Sequence, residues 1–404
     1  MSTNYLSVPY GRTVHGEEEI AAVVHVLRTS TQMGKHVREM EEKVAALFQK
    51  KSGIMLNSGS SANYLAIEIL DLPEGSEVIT PVLTFSTTVA PLVRNKLVPV
   101  FVDVEPGTYN IDVKKVESMI TAKTKAMMIP NLLGNLPDWK LLRELADRYN
   151  LIAIEDSCDT LGATVDGLSV GCYTDLSITS FYGSHVINCA GNGGMLCVNT
   201  EELASRAKLL RSWGRSSSLF VESEAIENRF HVKVDDIPYD AKFVFEALGY
   251  NMEPSEMGAA FGLVQLSKLD QNIATREKWF AIQDAFFKAY EEWFILPKQL
   301  PNSRTGWLAY PLTIKASAPF SRTELQIFLE KRNIQTRTVF TGNILRQPGF
   351  KDILCRRVDS YEHTDNVMRG GILMGCHHGL DAEMMAHIHE SFTVFAQEFA
   401  TAAV

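Results

Sequence analysis

Apolar and polar positions along this chain follow two rhythms. Residues 17–29 (EEEIAAVVHVLRT) and 36–49 (HVREMEEKVAALFQ) repeat apolar side chains at helical spacing, which predicts two amphipathic helices. GIMLN at 53–57 reads as a short buried strand that breaks into Ser58-Gly59-Ser60-Ser61, and NYLAIEIL at 63–70 reads as a helix. The chain then alternates. SEVITP (76–81), VPVFVDV (98–104), KAMMIPN (125–131) and LIAIED (151–156) have the character of strands, with a helix over 141–150 before the last. Strands that are apolar almost throughout, separated by helices, predict a mostly parallel sheet covered on both faces.

Two shorter apolar runs, LSITSF (176–181) and GGMLCVN (193–199), predict further strands on either side of a loop that carries His185. A helix is expected at 201–212, then a polar stretch at 216–240 without a clear period, then strongly helical pattern from 254 to 290. The last third mixes a strand pattern at 306–314 with helices at 321–332 and 381–399. The expected fold is therefore α/β, with a large domain over 1–270 and a smaller C-terminal α/β domain over 271–404. No Pro-, Gly- or Ser-rich linker marks the boundary.

Composition narrows the function. A net charge of -9 over 404 residues argues against a nucleic-acid partner, which would need a basic surface, but leaves room for a local pocket that takes one nucleotide diphosphate. The opening MSTNYLSVPYGRTV has no basic segment followed by an apolar run, and no stretch reaches the roughly 18 apolar residues of a membrane span, so a cytoplasmic protein is expected. The six cysteines (158, 172, 189, 197, 355 and 376) are scattered without paired CxxC spacing. They read as reduced core or pocket residues, and no metal site is expected.

Four features carry candidate chemistry. Asn57-Ser58-Gly59-Ser60-Ser61 joins a strand to a helix, where small residues let backbone N–H groups approach an anion. Such a turn also serves as a plain helix cap. Asp156 ends a buried strand, at the edge where ligands bind in open α/β sheets, though a carboxylate there also caps the next segment of chain. Ser180-Phe181-Tyr182-Gly183-Ser184-His185 leads into Gly191-Asn192-Gly193-Gly194, a glycine-rich loop that can hold a histidine tightly beside a substrate. Tyr250-Asn251 precedes a long helix and, taken alone, is only a turn.

Together with their order and spacing, these segments resemble the DegT/DnrJ/EryC1/StrS sugar aminotransferases, which have the aspartate aminotransferase fold (PLP fold type I). GKHVREMEEKVAALF, NSGSSANYLAI, TPVLTFSTTVAP, FVDVEPGTYNID, AIEDSCDTLGA and LGYNMEPSEMGAAFGLVQLSKLD carry the resemblance across nearly the whole chain. It implies a pyridoxal or pyridoxamine phosphate cofactor. By positional match, Gly59, Ser60 and Ser180 hold its phosphate, with Asn251 contributing from a partner subunit of a homodimer. Phe85 takes the place of the ring-stacking aromatic, Asp156 faces the pyridinium nitrogen, and Asp159 sits where aminotransferases carry a glutamine near the ring hydroxyl.

One departure bears on activity. In that family the residue five after the serine of the SF motif is the lysine that binds the cofactor covalently, and five after Ser180 is His185. Imidazole forms no stable Schiff base but moves protons near neutrality. The swap is similar to that in the sugar 3-dehydratases, as are Gly59-Ser60-Ser61-Ala62-Asn63, Glu155-Asp156-Ser157-Cys158-Asp159, the Arg211/Trp213/Gly214/Arg215 group, and Thr336, Arg337, Phe340, Gly342, Asn343, Arg346, Gln347, Pro348 and Phe350. Residues 216–240 contain no cysteine, so no iron–sulfur cluster is expected there. The resemblance is then to the redox-neutral GDP-4-keto-6-deoxymannose 3-dehydratases of colitose biosynthesis, although Val186 after His185 departs from their loop. What it implies is loss of the carbon-3 hydroxyl from a nucleotide-linked 4-keto-6-deoxyhexose, with His185 as acid and base, Asp156 beneath the electron sink, and an amino donor such as glutamate restoring the cofactor's amine. A nucleotide-sugar aminotransferase using another lysine, a dehydrase assisted by an iron–sulfur cluster held elsewhere in the chain, and a catalytically silent binding protein on the same fold are the alternatives.

Overall fold

The computed structural model describes residues 5–220 and 225–400. Seven strands form the main sheet: β1 (Ser52–Leu56), β2 (Glu77–Pro81), β3 (Val98–Val102), β4 (Thr124–Pro130), β5 (Ile152–Ser157), β6 (Leu176–Ser180) and β7 (Gly194–Val198). Their spatial order is β1-β7-β6-β5-β4-β2-β3, parallel from β6 to β3, with β7 antiparallel to both its neighbours. Inverting β7 leaves β1 running the same way as the parallel set. The carboxyl ends of β1, β4, β5 and β6 and the start of β7 therefore share one edge. Register sharpens this, because Leu56 and Ser180 both pair with Gly194, while Asp156 pairs with Pro130.

Helices cover both faces, as the near-continuous apolar strands predicted. Helices α3 (Gly59–Leu70) and α6 (Glu201–Arg211) bury Leu65, Ala66, Ala204 and Ala207 against one face, and α5 (Trp139–Tyr149) buries Trp139 and Leu142 against the other. The amphipathic pair α1 (Glu17–Thr29) and α2 (Lys35–Leu47) fall where their spacing placed them. Helix α4 (Ser86–Arg94) has Pro91 in its interior, which hid it from a reading of propensity. The predicted helical run from 254 splits at Lys268 into α7 (Glu256–Ser267) and α8 (Leu269–Phe287).

A three-stranded antiparallel sheet lies in the C-terminal region, made of β8 (Phe294–Ile295), β9 (Ala309–Ile314) and β10 (Gly371–Gly375) in the order β8-β9-β10. Around it pack α9 (Arg322–Lys331), α10 (Glu362–Gly370), α11 (Ala382–Ala400) and a cluster of rings that includes Phe287, Phe294, Phe320 and Phe392. The N-terminal segment joins this core: Val8 is fully buried and bridges to Ile334 in parallel. The polar stretch after α6 holds a short hairpin, Val232–Val234 against Ile237–Tyr239, with an exposed surface. No helix among the described residues is long and apolar enough to cross a membrane.

Candidate active site

A cavity of about 520 Å³ opens at the shared strand edge, and Tyr10, Leu308 and Phe340 contribute to its wall. The candidate residues Gly59, Ser60, Phe85, Asp156, Asp159, Ser180 and His185 all line it. They come from separate stretches of chain, and the sheet register brings them together.

The turn before α3 is the most constrained part. Ser58 caps the helix, its Oγ accepting the Ser61 N–H at 3.1 Å, so the helix begins at Gly59 and not at Asn63 as the periodicity predicted. Ser60 Oγ donates to Thr87 Oγ1 at 3.1 Å, and Ser180 Oγ accepts the Tyr182 N–H at 3.3 Å. A Cβ on Gly59 would come within 2.6 Å of Ser180 Cβ and 2.8 Å of Cys158 Sγ. Gly194 is required for the same reason, since a side chain there would meet the Ser58 carbonyl at 2.3 Å. The result is a cradle of N–H groups and hydroxyls at a helix N-terminus, the donor set that suits a phosphate.

Asp156 lies deeper and is built to hold a carboxylate. Its Oδ2 accepts from Asn63 Nδ2 at 2.9 Å and Thr88 Oγ1 at 2.8 Å, and its Oδ1 accepts the Cys158 N–H at 3.2 Å. Asn63 Oδ1 has no partner and is buried. Asp159 is held differently. A single donor, the Leu133 N–H at 2.8 Å, reaches its Oδ2, and Leu133 itself sits at φ 59°, a conformation that costs a branched side chain energy. Burial, and then the charge of Asp156, push the Asp159 carboxyl up to about 7. Two carboxyls in one cavity are thus held differently, Asp156 by three donors and Asp159 by one, and burial leaves Asp159 able to donate a proton near neutrality.

Phe85 is half exposed and meets Phe340 edge to face at 5.8 Å between centroids, leaving a face free for a flat ring. His185 is partly buried. Its Nδ1 lies 3.2 Å from the Ser180 carbonyl, its backbone N–H donates to the Tyr182 carbonyl at 3.0 Å, and the Tyr182 ring stands 5.8 Å away. Burial pulls the imidazole down to about 4, opposed by the Ser180 carbonyl and helped by the charge of Arg276. At neutral pH it is an uncharged base, and once protonated it gives up its proton more readily than an ordinary imidazolium.

Asn251 does not line the cavity of its own chain. It pairs with Ser212, and its Oδ1 accepts the Glu253 N–H at 3.4 Å. Its surroundings are exposed and apolar: Trp213, Phe243, Phe245, Tyr250 and, at 96% exposure, Leu248. Several lining residues escaped the sequence reading. Tyr10 arrives on an extended segment held by the Gln335 side chain, 325 positions away, and Thr88 looks like any helix residue. Asn63 was visible only as part of the GSSAN run.

Known proteins share this fold. The chain is 35% identical over 402 residues to dTDP-4-dehydro-2,6-dideoxy-D-glucose 3-dehydratase from Saccharopolyspora spinosa, covering 96% of this chain and 86% of that protein. The solved E coli GDP-4-keto-6-deoxy-D-mannose-3-dehydratase with bound hydrated PLP matches with a TM-score of 0.87 at 27% identity, over 96% of this chain and 100% of that one. A GDP-4-keto-6-deoxymannose-3-dehydratase with a trapped PLP-glutamate geminal diamine matches with a TM-score of 0.84 at 26% identity, over 95% of this chain and 100% of the other. The fold is thus that of the PLP fold type I enzymes, with a mostly parallel seven-stranded sheet. Residues 13–393 match the DegT/DnrJ/EryC1/StrS aminotransferase family, and the chain belongs to it.

Proposed function

We propose that this chain is a pyridoxamine-phosphate-dependent 3-dehydratase acting on a nucleotide-linked 4-keto-6-deoxyhexose, with a GDP sugar as the first candidate. One observation carries the reading: an imidazole, His185, stands in the cavity, and no lysine is among the described residues that line it. The phosphate cradle and the Asp156 network support a bound cofactor, because a scaffold protein has no need of either. Gly59, Ser60 and Ser180 would hold the phosphate, Phe85 would stack on the ring, Asp156 would keep a proton on the ring nitrogen, and Asp159 would face the ring hydroxyl.

When bound, pyridoxamine phosphate supplies an amine that condenses with the ketone and a ring that accepts electrons, which makes the neighbouring carbon–oxygen bond labile. His185, neutral before the reaction, takes a proton through its Nε2 while the Ser180 carbonyl holds Nδ1. As imidazolium it then gives that proton to the departing carbon-3 hydroxyl, which leaves as water. The low affinity of His185 for a proton makes the second transfer favourable. Hydrolysis would release ammonia with the 3-deoxy-4-keto sugar and leave the cofactor as pyridoxal phosphate, to which glutamate would restore the amine.

A homodimer belongs to the same reading, supported by the exposed apolar surface around Asn251, which would bring that amide to a partner's cradle. So does a cytoplasmic location. The test is turnover of GDP-4-keto-6-deoxymannose with glutamate alone, followed by mass spectrometry of the sugar product. Loss of one oxygen without any added reductase supports the proposal; a 4-amino sugar as the sole product, or no reaction with any 4-keto sugar nucleotide, refutes it.

A further inference from the structure

Arg276 on α8 is fully buried, and no carboxylate of the described residues lies within ion-pair distance of it. Buried guanidinium groups without a counter-charge are rare, because the lost hydration is only partly replaced by neutral acceptors. Here the acceptors are specific. Nη1 donates to the carbonyls of Trp307 at 3.0 Å and Leu308 at 3.2 Å, Nε donates to His378 Nδ1 at 3.3 Å, and Nη2 donates to the Ser184 carbonyl at 3.1 Å. Ser184 immediately precedes His185, and Leu308 lines the same cavity. One rigid fork thus ties the loop that carries the imidazole to the segment holding Leu308. A lysine could not span these acceptors, since only the planar guanidinium presents its donors in fixed directions.

We propose that Arg276 is the positioning residue of His185, fixing the loop at Ser184 and presenting a positive charge behind the imidazole. The proposal rests on the reading of His185 as the proton-transferring group. Its charge acts in the same direction as burial, keeping the ring neutral. The other titratable groups around that space are Tyr10, Asp156, Cys158, Asp159 and Tyr182 on the cavity wall, His378, His377 and Cys376 beside the guanidinium, and the cations Arg12 and Arg337, the latter stacked on the Tyr10 ring. Of the cations, Arg276 is the one whose charge acts on His185, and His378 is itself pulled down to about 3 by burial and Arg276.

The test compares wild type with Arg276→Gln and Arg276→Lys. The histidine ring titration of cofactor-free protein is followed by NMR, with the His185 signal assigned by its absence from His185→Asn, and single-turnover rates are measured beside it. Arg276→Gln should raise the His185 midpoint by about one pH unit, the low end of what a nearby charge produces. Its rate should fall roughly 10- to 100-fold with little change in KM, as expected of a misplaced catalytic group. Arg276→Lys should keep the low midpoint and recover part of the rate. A folded Arg276→Gln with wild-type midpoint and rate overturns the proposal, whatever its melting temperature. If Arg276→Gln does not fold, a wild-type rate in Arg276→Lys overturns it instead. Should His185→Asn turn over normally, the functional reading fails while the shifted midpoint still shows Arg276 acting on His185.

Discussion

Replacing His185 by asparagine should flatten the pH dependence of stability on the acid side, by an amount that the site's burial sets. The folded imidazole titrates at about 4, pulled down by burial first and with Arg276 adding to it. In the unfolded chain it titrates at about 6.5. The folded state therefore binds this proton less readily, so the stability that the neutral ring contributes is complete above pH 6.5 and is lost as pH falls from there towards 4. Between pH 7 and pH 5 that difference amounts to about 2 kcal/mol. Water at the cavity wall lowers it towards about 1 kcal/mol, because the ring is only partly buried. His377, His378 and His389 are lowered by burial in the same direction, so wild type loses stability steeply through this window for several reasons. The informative quantity is the difference between two proteins. Denaturant unfolding of cofactor-free wild type and His185→Asn at pH 7, 6 and 5 gives it directly. Curves that run parallel with pH would refute the claim that His185 is held neutral.

Other outcomes depend on contacts in the cradle and beneath it. Gly59→Ala places a methyl group against Ser180 and Cys158, so pyridoxamine phosphate affinity, read by fluorescence titration, should fall at least ~10-fold, with the helix N-terminus pushed off its anion. Thr88→Val removes a donor to a buried carboxylate and should cost about 1.5–3 kcal/mol in chemical denaturation, as well as cofactor affinity. Phe85→Ala, at a half-exposed position, should leave the melting temperature nearly unchanged while weakening cofactor binding by roughly 1 kcal/mol.

Much of this architecture is legible in the chain because its signals are local. Helix α1 begins and ends where the spacing of 17–29 placed it, and each of the main sheet's strands has an apolar run of its own. The chemistry at the strand edge is legible too, since a parallel sheet delivers the residues after its strands to one place. Contacts without a periodic signature are not. The segment from Tyr5 to Tyr10 has no rhythm, yet it pairs with Ile334 and delivers Tyr10 to the cavity. Pro91 disguised α4, which supplies Thr88 to Asp156. Arg276 reads as an ordinary polar position within a long helical run, and only the packed structure reveals it as buried. Ser58 shifts the start of α3 by four residues through one side-chain hydrogen bond, a local effect that hydrophobic spacing does not report.

The central claim is that His185 carries the proton in the elimination. Single-turnover elimination from a 4-keto sugar nucleotide tests it, with wild type and His185→Asn loaded with pyridoxamine phosphate and thermal melts run alongside. The account predicts that His185→Asn binds the cofactor, melts cooperatively, and eliminates at least ~10²- to 10⁴-fold more slowly, the loss expected when a general acid–base is removed. A well-folded His185→Asn protein that eliminates at the wild-type rate would contradict it.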